Sequence, residues 1–149
     1  MRRSLFVLPA IAALAACGQP AQLEIDQAWA RDTVGRTANA AVFMTIRSPA
    51  ADRLVGASAE IAGETDLMTM TGGSEAMEMI YLDAIDIPAG EPVALDPRGL
   101  HVWLADLERP LIAGESFPLS LTFENAGERR VEVTVIAPAA PAPMSDMAM

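Results

Sequence analysis

The chain of 149 residues predicts an all-β fold, a sandwich or barrel of about eight or nine short strands. Three observations lead there. No segment sustains a helical period. Short runs rich in β-branched and aromatic residues recur along the chain. Turn signals separate those runs at roughly 8- to 12-residue spacing, as in β-sandwiches. With 52% hydrophobic residues there is enough apolar material for one core of ordinary size.

The first 17 residues stand apart from that pattern. Arg2 and Arg3 form a positive end, and residues 5–14 are apolar but shorter than the roughly 20 residues a membrane-spanning helix needs. Leu14-Ala15-Ala16-Cys17 follows, then Gly18. This resembles the bacterial lipobox, in which the cysteine is lipidated and becomes the mature N-terminus. The resemblance implies an exported, membrane-anchored periplasmic lipoprotein with residues 1–17 as signal peptide and Cys17 as the lipidation site. The plainer alternative is an ordinary signal peptide cut at an Ala-X-Ala-like site. Residues 18–22 read as a tether, and the folded domain is expected over residues 23–136.

Within that domain, residues 23–30 alternate weakly and form the first strand, with Trp29 near its end. Residues 31–37 carry Asp, Gly and Thr and make a loop. Ala-Ala-Val-Phe-Met-Thr-Ile-Arg at 40–47 is a strand by composition, and 53–59 is another after a turn at 48–52. Residues 65–70 and 76–82 form a hairpin around Gly72-Gly73-Ser74. Turns at 88–90 and 96–99 bracket a short strand at 92–95, and the strand of Gly99-Leu100-His101-Val102-Trp103-Leu104-Ala105-Asp106-Leu107 follows. Two long strands close the domain at 116–124 and 129–136; in the second, Val131, Val133 and Val135 alternate with Glu132 and Thr134. The Ala/Pro-rich residues 137–149 cannot bury enough surface to fold and are expected to be disordered.

Charge and cysteine content exclude several functions. The net charge is −10, and all ten basic residues are arginine. Such a surface repels nucleic acid phosphates. A blue-copper electron-transfer site needs two histidines and a thiolate. The chain has one histidine and one cysteine, the latter in the leader. The single histidine also leaves no His-His metal pair; no Ser/His/Asp set can be assembled around it and no glycine-rich phosphate loop is present, so catalysis is not expected.

The chemistry-bearing residues cluster instead around His101. On an extended strand His101 and Trp103 point the same way, roughly 7 Å apart, while Leu100, Val102 and Leu104 point the other. Upstream, Met68, Met70, Met77 and Met79 fall within 12 residues. Thioethers with one imidazole are a soft ligand set, which selects Cu(I). Met70 shares a face with Met68, and Met77 with Met79, so both are candidate auxiliary ligands or a relay position; equally, they are candidate core fillers.

The folded part, residues 23–136, resembles the periplasmic copper chaperones of the PCu(A)C family. Asp52-Arg53-Leu54-Val55-Gly56-Ala57 resembles an early strand of that family, and Arg109-Pro110-Leu111, Gly114 and Phe117-Pro118-Leu119-Ser120-Leu121-Thr122-Phe123 its closing region. The family motif is His, ten residues, Met, twenty-one residues, His, any residue, Met. Counted from His101, its spacing falls on Met68, Met79, His101 and Trp103. Met79 and His101 match; Met68 stands where the family has histidine, and Trp103 where it has methionine. The resemblance implies a cupredoxin-like Greek-key fold and transport of Cu(I) towards cytochrome oxidase assembly or copper homeostasis. The acceptor would be a copper-accepting envelope protein, an oxidase subunit or another copper chaperone, and the carrier a monomer.

With the two departures, the expected copper site is Met68, Met79 and His101, with the Trp103 indole capping the metal. Asp66 and Glu78 flank these ligands in sequence and are candidates to moderate the metal's charge. The alternative from another class is a metal-free acidic lipoprotein that kept the fold and docks onto another envelope protein. Met144, Met147 and Met149 in the tail are either a copper-capturing extension or solvated chain.

Overall fold

A computed structural model describes residues 22–73 and 76–143. Cys17 and the tail methionines Met144, Met147 and Met149 lie outside those residues. Ten strands are present among them: β1 (Glu24–Arg31), β2 (Ala40–Arg47), β3 (Asp52–Ser58), β4 (Ala62–Thr71), β5 (Glu78–Leu82), β6 (Ile85–Ile87), β7 (Val93–Leu95), β8 (His101–Leu107), β9 (Ser116–Phe123) and β10 (Gly127–Ile136). The short β6 is the strand the sequence does not announce, since three residues are too few to display an alternation.

The hydrogen-bonded order is β5-β4-β8-β2-β1-β10-β9-β3-β6, with β7 pairing beside β8 on β2. The sheet does not close, so β5 and β6 remain as edges. All pairs are antiparallel except β1 with β10. Period-2 alternation sends one side of each strand inward. Val42, Leu67, Val102 and Leu104 from one half meet Leu54, Phe117, Leu119, Leu121 and Val133 from the other in a single buried cluster. The result is a cupredoxin-like sandwich.

Because Val102 and Leu104 belong to that cluster, the alternate residues His101 and Trp103 emerge on the outer face of β8. At the tip of the β4–β5 hairpin, Gly72 holds φ +115°, and a Cβ there would run into the Ala76 carbonyl. Only glycine fits both the backbone and the space.

The composition predicts no structure after Ile136, yet the first part of that stretch is placed. Ala137–Ala140 turns on itself, with the Ala140 N–H donating to the Ala137 carbonyl at 3.0 Å. The Arg31 guanidinium donates to the carbonyls of Pro138 (2.8 Å) and Ala140 (3.0 Å) while lying 5.2 Å over the Trp29 ring. One arginine thus ties the end of β1 to the chain leaving β10. Low-hydrophobicity chain can be held in this way by backbone carbonyls alone, which composition does not reveal.

Candidate metal centre

The outer face of β5, β4, β8, β2 and β1 carries a lattice of side chains set by strand register. Directly opposed residues in an antiparallel pair share a face, with Cβ atoms about 5 Å apart. Met68 on β4 is opposed to His101 on β8 on one side and to Tyr81 on β5 on the other. The same rung continues through Phe43, whose ring lies 6.2 Å from His101, to Trp29, 4.6 Å from Phe43. One row therefore reads Tyr81, Met68, His101, Phe43, Trp29. A thioether and the only imidazole are neighbours at its centre.

His101 is held by its own strand entry. Its Nδ1 lies 3.0 Å from the Gly99 carbonyl oxygen. A carbonyl only accepts, so Nδ1 carries the proton and donates, leaving the lone pair on Nε2. Fixing one ring nitrogen to a backbone carbonyl is how a metal-ligating histidine is oriented. Trp103 packs edge-on against this imidazole, at a centroid distance of 6.2 Å and an interplanar angle of 71°. The expected side-by-side placement of His101 and Trp103 is thus present, slightly closer than the strand rise alone gives.

Met79 sits differently. It is opposed to Met70, one rung away from the Met68–His101 rung. From the strand spacing and rise, its Cα and that of His101 are about 12 Å apart, with Met68 between them. Met68 and His101 are each 3% exposed, whereas Met79 is 37% exposed. Trp103 lies on the rung at the other side of His101, opposed to Asp66. The face therefore has Met70 and Met79 on one flank, Met68 and His101 in the middle, and Trp103 with Asp66 on the other.

Of the two carboxylates considered for balancing a metal's charge, only Asp66 shares this face. Glu78 is opposed to Thr71, and as the neighbour of Met79 it points to the opposite side of the hairpin. Among the described residues, no group of three His, Cys, Asp or Glu side chains converges. A metal held between Met68 and His101 would meet sulfur and one nitrogen first, a set for soft ions.

Two neighbours of the site are not found by sequence reasoning. Phe43 packs beside His101, and Pro97 lines a cleft of ≈ 330 Å³ with Phe43, Trp103, Arg31 and Arg36. The alternation of β2 marks Phe43 as sharing a face with Ala41, but not that this face meets His101.

The sandwich that carries this face has the fold of PCuAC domains. The LpqE-like family model matches residues 23–135, and the chain belongs to that family. The Cu(I) form of DR1885 from Deinococcus radiodurans, solved in solution as CuI-DR1885, is 30% identical with a TM-score of 0.59, covering 86% of this chain and 87% of that one. The copper-bound PCuAC domain from PmoF2 is 25% identical with a TM-score of 0.65, covering 79% of this chain and 95% of the domain. The apo PCuAC domain from PmoF1 superimposes with a TM-score of 0.67 at 23% identity, covering 79% and 96%. No curated protein matches the chain in sequence.

Proposed function

We propose that this protein is a copper chaperone of the bacterial envelope, which takes Cu(I) on the outer face of β4, β5 and β8 and passes it to a partner. The observation that carries the reading is the opposed Met68–His101 pair, in which the Gly99 carbonyl fixes the imidazole and leaves Nε2 as a donor. The likeness to copper-bound PCuAC domains supports it. Met68 and Met79 supply sulfur, His101 nitrogen, and Trp103 an indole face against a monovalent cation. With methionine at position 68 where the family has histidine, the set loses a nitrogen donor. Preference shifts further towards Cu(I) and away from Cu(II) and zinc.

All these ligands are neutral, so the loaded site keeps the ion's positive charge, and the Asp66 carboxylate on the same face offsets part of it. Of the three ligands, Met79 is the one open to solvent, whereas Met68 and His101 are buried, so exchange with the outside runs by way of Met79. An oxidase copper site or another copper chaperone is the class of acceptor. The family description names a lipoprotein, which supports an exported protein anchored through Cys17.

Titration of the purified protein with Cu(I) against a chromophoric chelator, without oxygen, is the test. One tight equivalent is expected, with quenching of Trp103 emission in a Trp29→Phe background. Absence of competition with the chelator would refute copper carriage and leave a metal-free docking protein.

A further inference from the structure

Methionines on the β4–β5 hairpin divide by burial in a way that core packing does not explain. Met68 is buried beside His101, at 3% exposure, and Met44 on β2 is buried in the core, at 2%, as a filler of a packed interior should be. Met77 and Met79 are 55% and 37% exposed, and Met70, directly opposed to Met79, is half-buried. Exposed thioethers on the edge strand and just before it fill nothing.

Their surroundings keep them accessible. Met70 donates its backbone N–H to Gly99 at 3.1 Å, so its neighbour on the β8 side has no side chain. At the hairpin tip Gly72 approaches the backbone of Ala76 and Met77 closely, again with no side chain. A Cβ placed on Gly99 would meet only the Asp96 carboxylate, at an ordinary contact distance of 3.9 Å, so no side chain is crowded in beside Met70 there. The sulfurs of the hairpin thus have glycine on both flanks. Their exposure falls from Met77 through Met79 and Met70 to buried Met68, beside His101.

We propose that Met70, Met77 and Met79 form a separate, outer Cu(I) site of three thioethers, which receives the ion and delivers it to Met68 and His101 through Met79, the ligand common to both positions. This rests on the copper-carrier reading and adds an order of events to it. Transfer inward exchanges Cu–S bonds at Met77 and Met70 for one Cu–S bond at Met68 and one Cu–N bond at His101 Nε2. Every ligand is neutral before and after, so no proton and no electron moves and copper stays Cu(I). Transfer outward to an acceptor reverses the sequence. A carrier can then hold its ion in a buried position without having to open that position to solvent.

The test is a Met70→Leu/Met77→Leu double variant of the whole protein, since leucine keeps the volume and hydrophobicity while removing sulfur. Cu(I) affinity measured against a chelator should stay within about threefold of wild type. The rate of Cu(I) uptake from the chelator in stopped flow should fall about tenfold, because the relay ligands no longer hold the ion beside the inner site. A second readout uses His101→Ala, which should retain weakly bound Cu(I) with purely sulfur coordination in X-ray absorption and lose it when Met70→Leu/Met77→Leu is added. Wild-type protein that binds Cu(I) but shows the same uptake rate in the double variant overturns the outer site and leaves the carrier reading intact. Wild-type protein that takes up no Cu(I) overturns both.

Discussion

His101→Ala should lower Cu(I) affinity by about 100-fold or more, equivalent to about 2.7 kcal/mol. His101 is the only imidazole in the chain, so no other residue of its kind can replace the lost nitrogen. Its Nδ1–Gly99 hydrogen bond holds the ring in the tautomer that presents Nε2, an organisation an incoming free ligand lacks. Met68→Leu provides the companion measurement. If both residues bind one ion, the double variant should lose little beyond the larger single loss. The thermal midpoint of each variant separates ligand loss from unfolding, because His101 is buried and its replacement by alanine leaves space. Affinity within threefold of wild type in a folded His101→Ala protein would sink the site.

Much of this arrangement is written locally in the sequence. The β-branched and aromatic run of β2 and the Val131/Val133/Val135 alternation of β10 need no tertiary information. The motif spacing likewise brings out Met68, Met79, His101 and Trp103 before any register is known. Burial across the outer face is not written there. Met68 and Met79 have the same chemistry and sit in one hairpin, yet one is covered and the other open. That difference depends on Met68 pairing with His101 on an inner strand, while Met79 lies on the edge strand β5. Phe43 reaches His101 through a pairing of β2 with β8 that joins residues about sixty positions apart. Asp52 reads in sequence as part of a turn, because aspartate is a turn former, and nothing local shows what its carboxylate holds.

What it holds is the largest stability effect expected from a single polar residue of this fold. Asp52 opens β3 and is buried, at 7% exposure. Its Oδ1 accepts from the backbone N–H groups of Arg53 (2.8 Å) and Asn125 (2.9 Å), and its Oδ2 from that of Ala126 (2.9 Å). One carboxylate thereby fastens the β9–β10 turn, where Gly127 adopts φ +76°, to the start of β3. Hydrogen bonds to a charged acceptor contribute about 1.5–3 kcal/mol each, less where water can replace them, as at this partly exposed turn. Asp52→Ala should therefore cost about 2–3 kcal/mol, a drop of roughly 10 °C in Tm for a domain of this size. Asp52→Asn keeps one acceptor oxygen but turns an N–H group towards one of its former donors, so its loss should be intermediate. The neighbouring Arg53–Asp86 and Arg53–Glu124 ion pairs are exposed, at 3.1 and 3.8 Å, and should matter far less. Burial alone would raise the Asp52 carboxyl, but the converging N–H groups outweigh it and hold it below the usual aspartate value. Since the folded form binds its proton less readily than the unfolded form, the stabilisation is fully present above about pH 4 and fades as pH falls through the depressed value. The stability gap between wild type and Asp52→Asn, measured by denaturant unfolding, should accordingly narrow between pH 5 and pH 2. A gap that stays constant over that range would mean that the carboxylate's charge plays no part in fastening the turn.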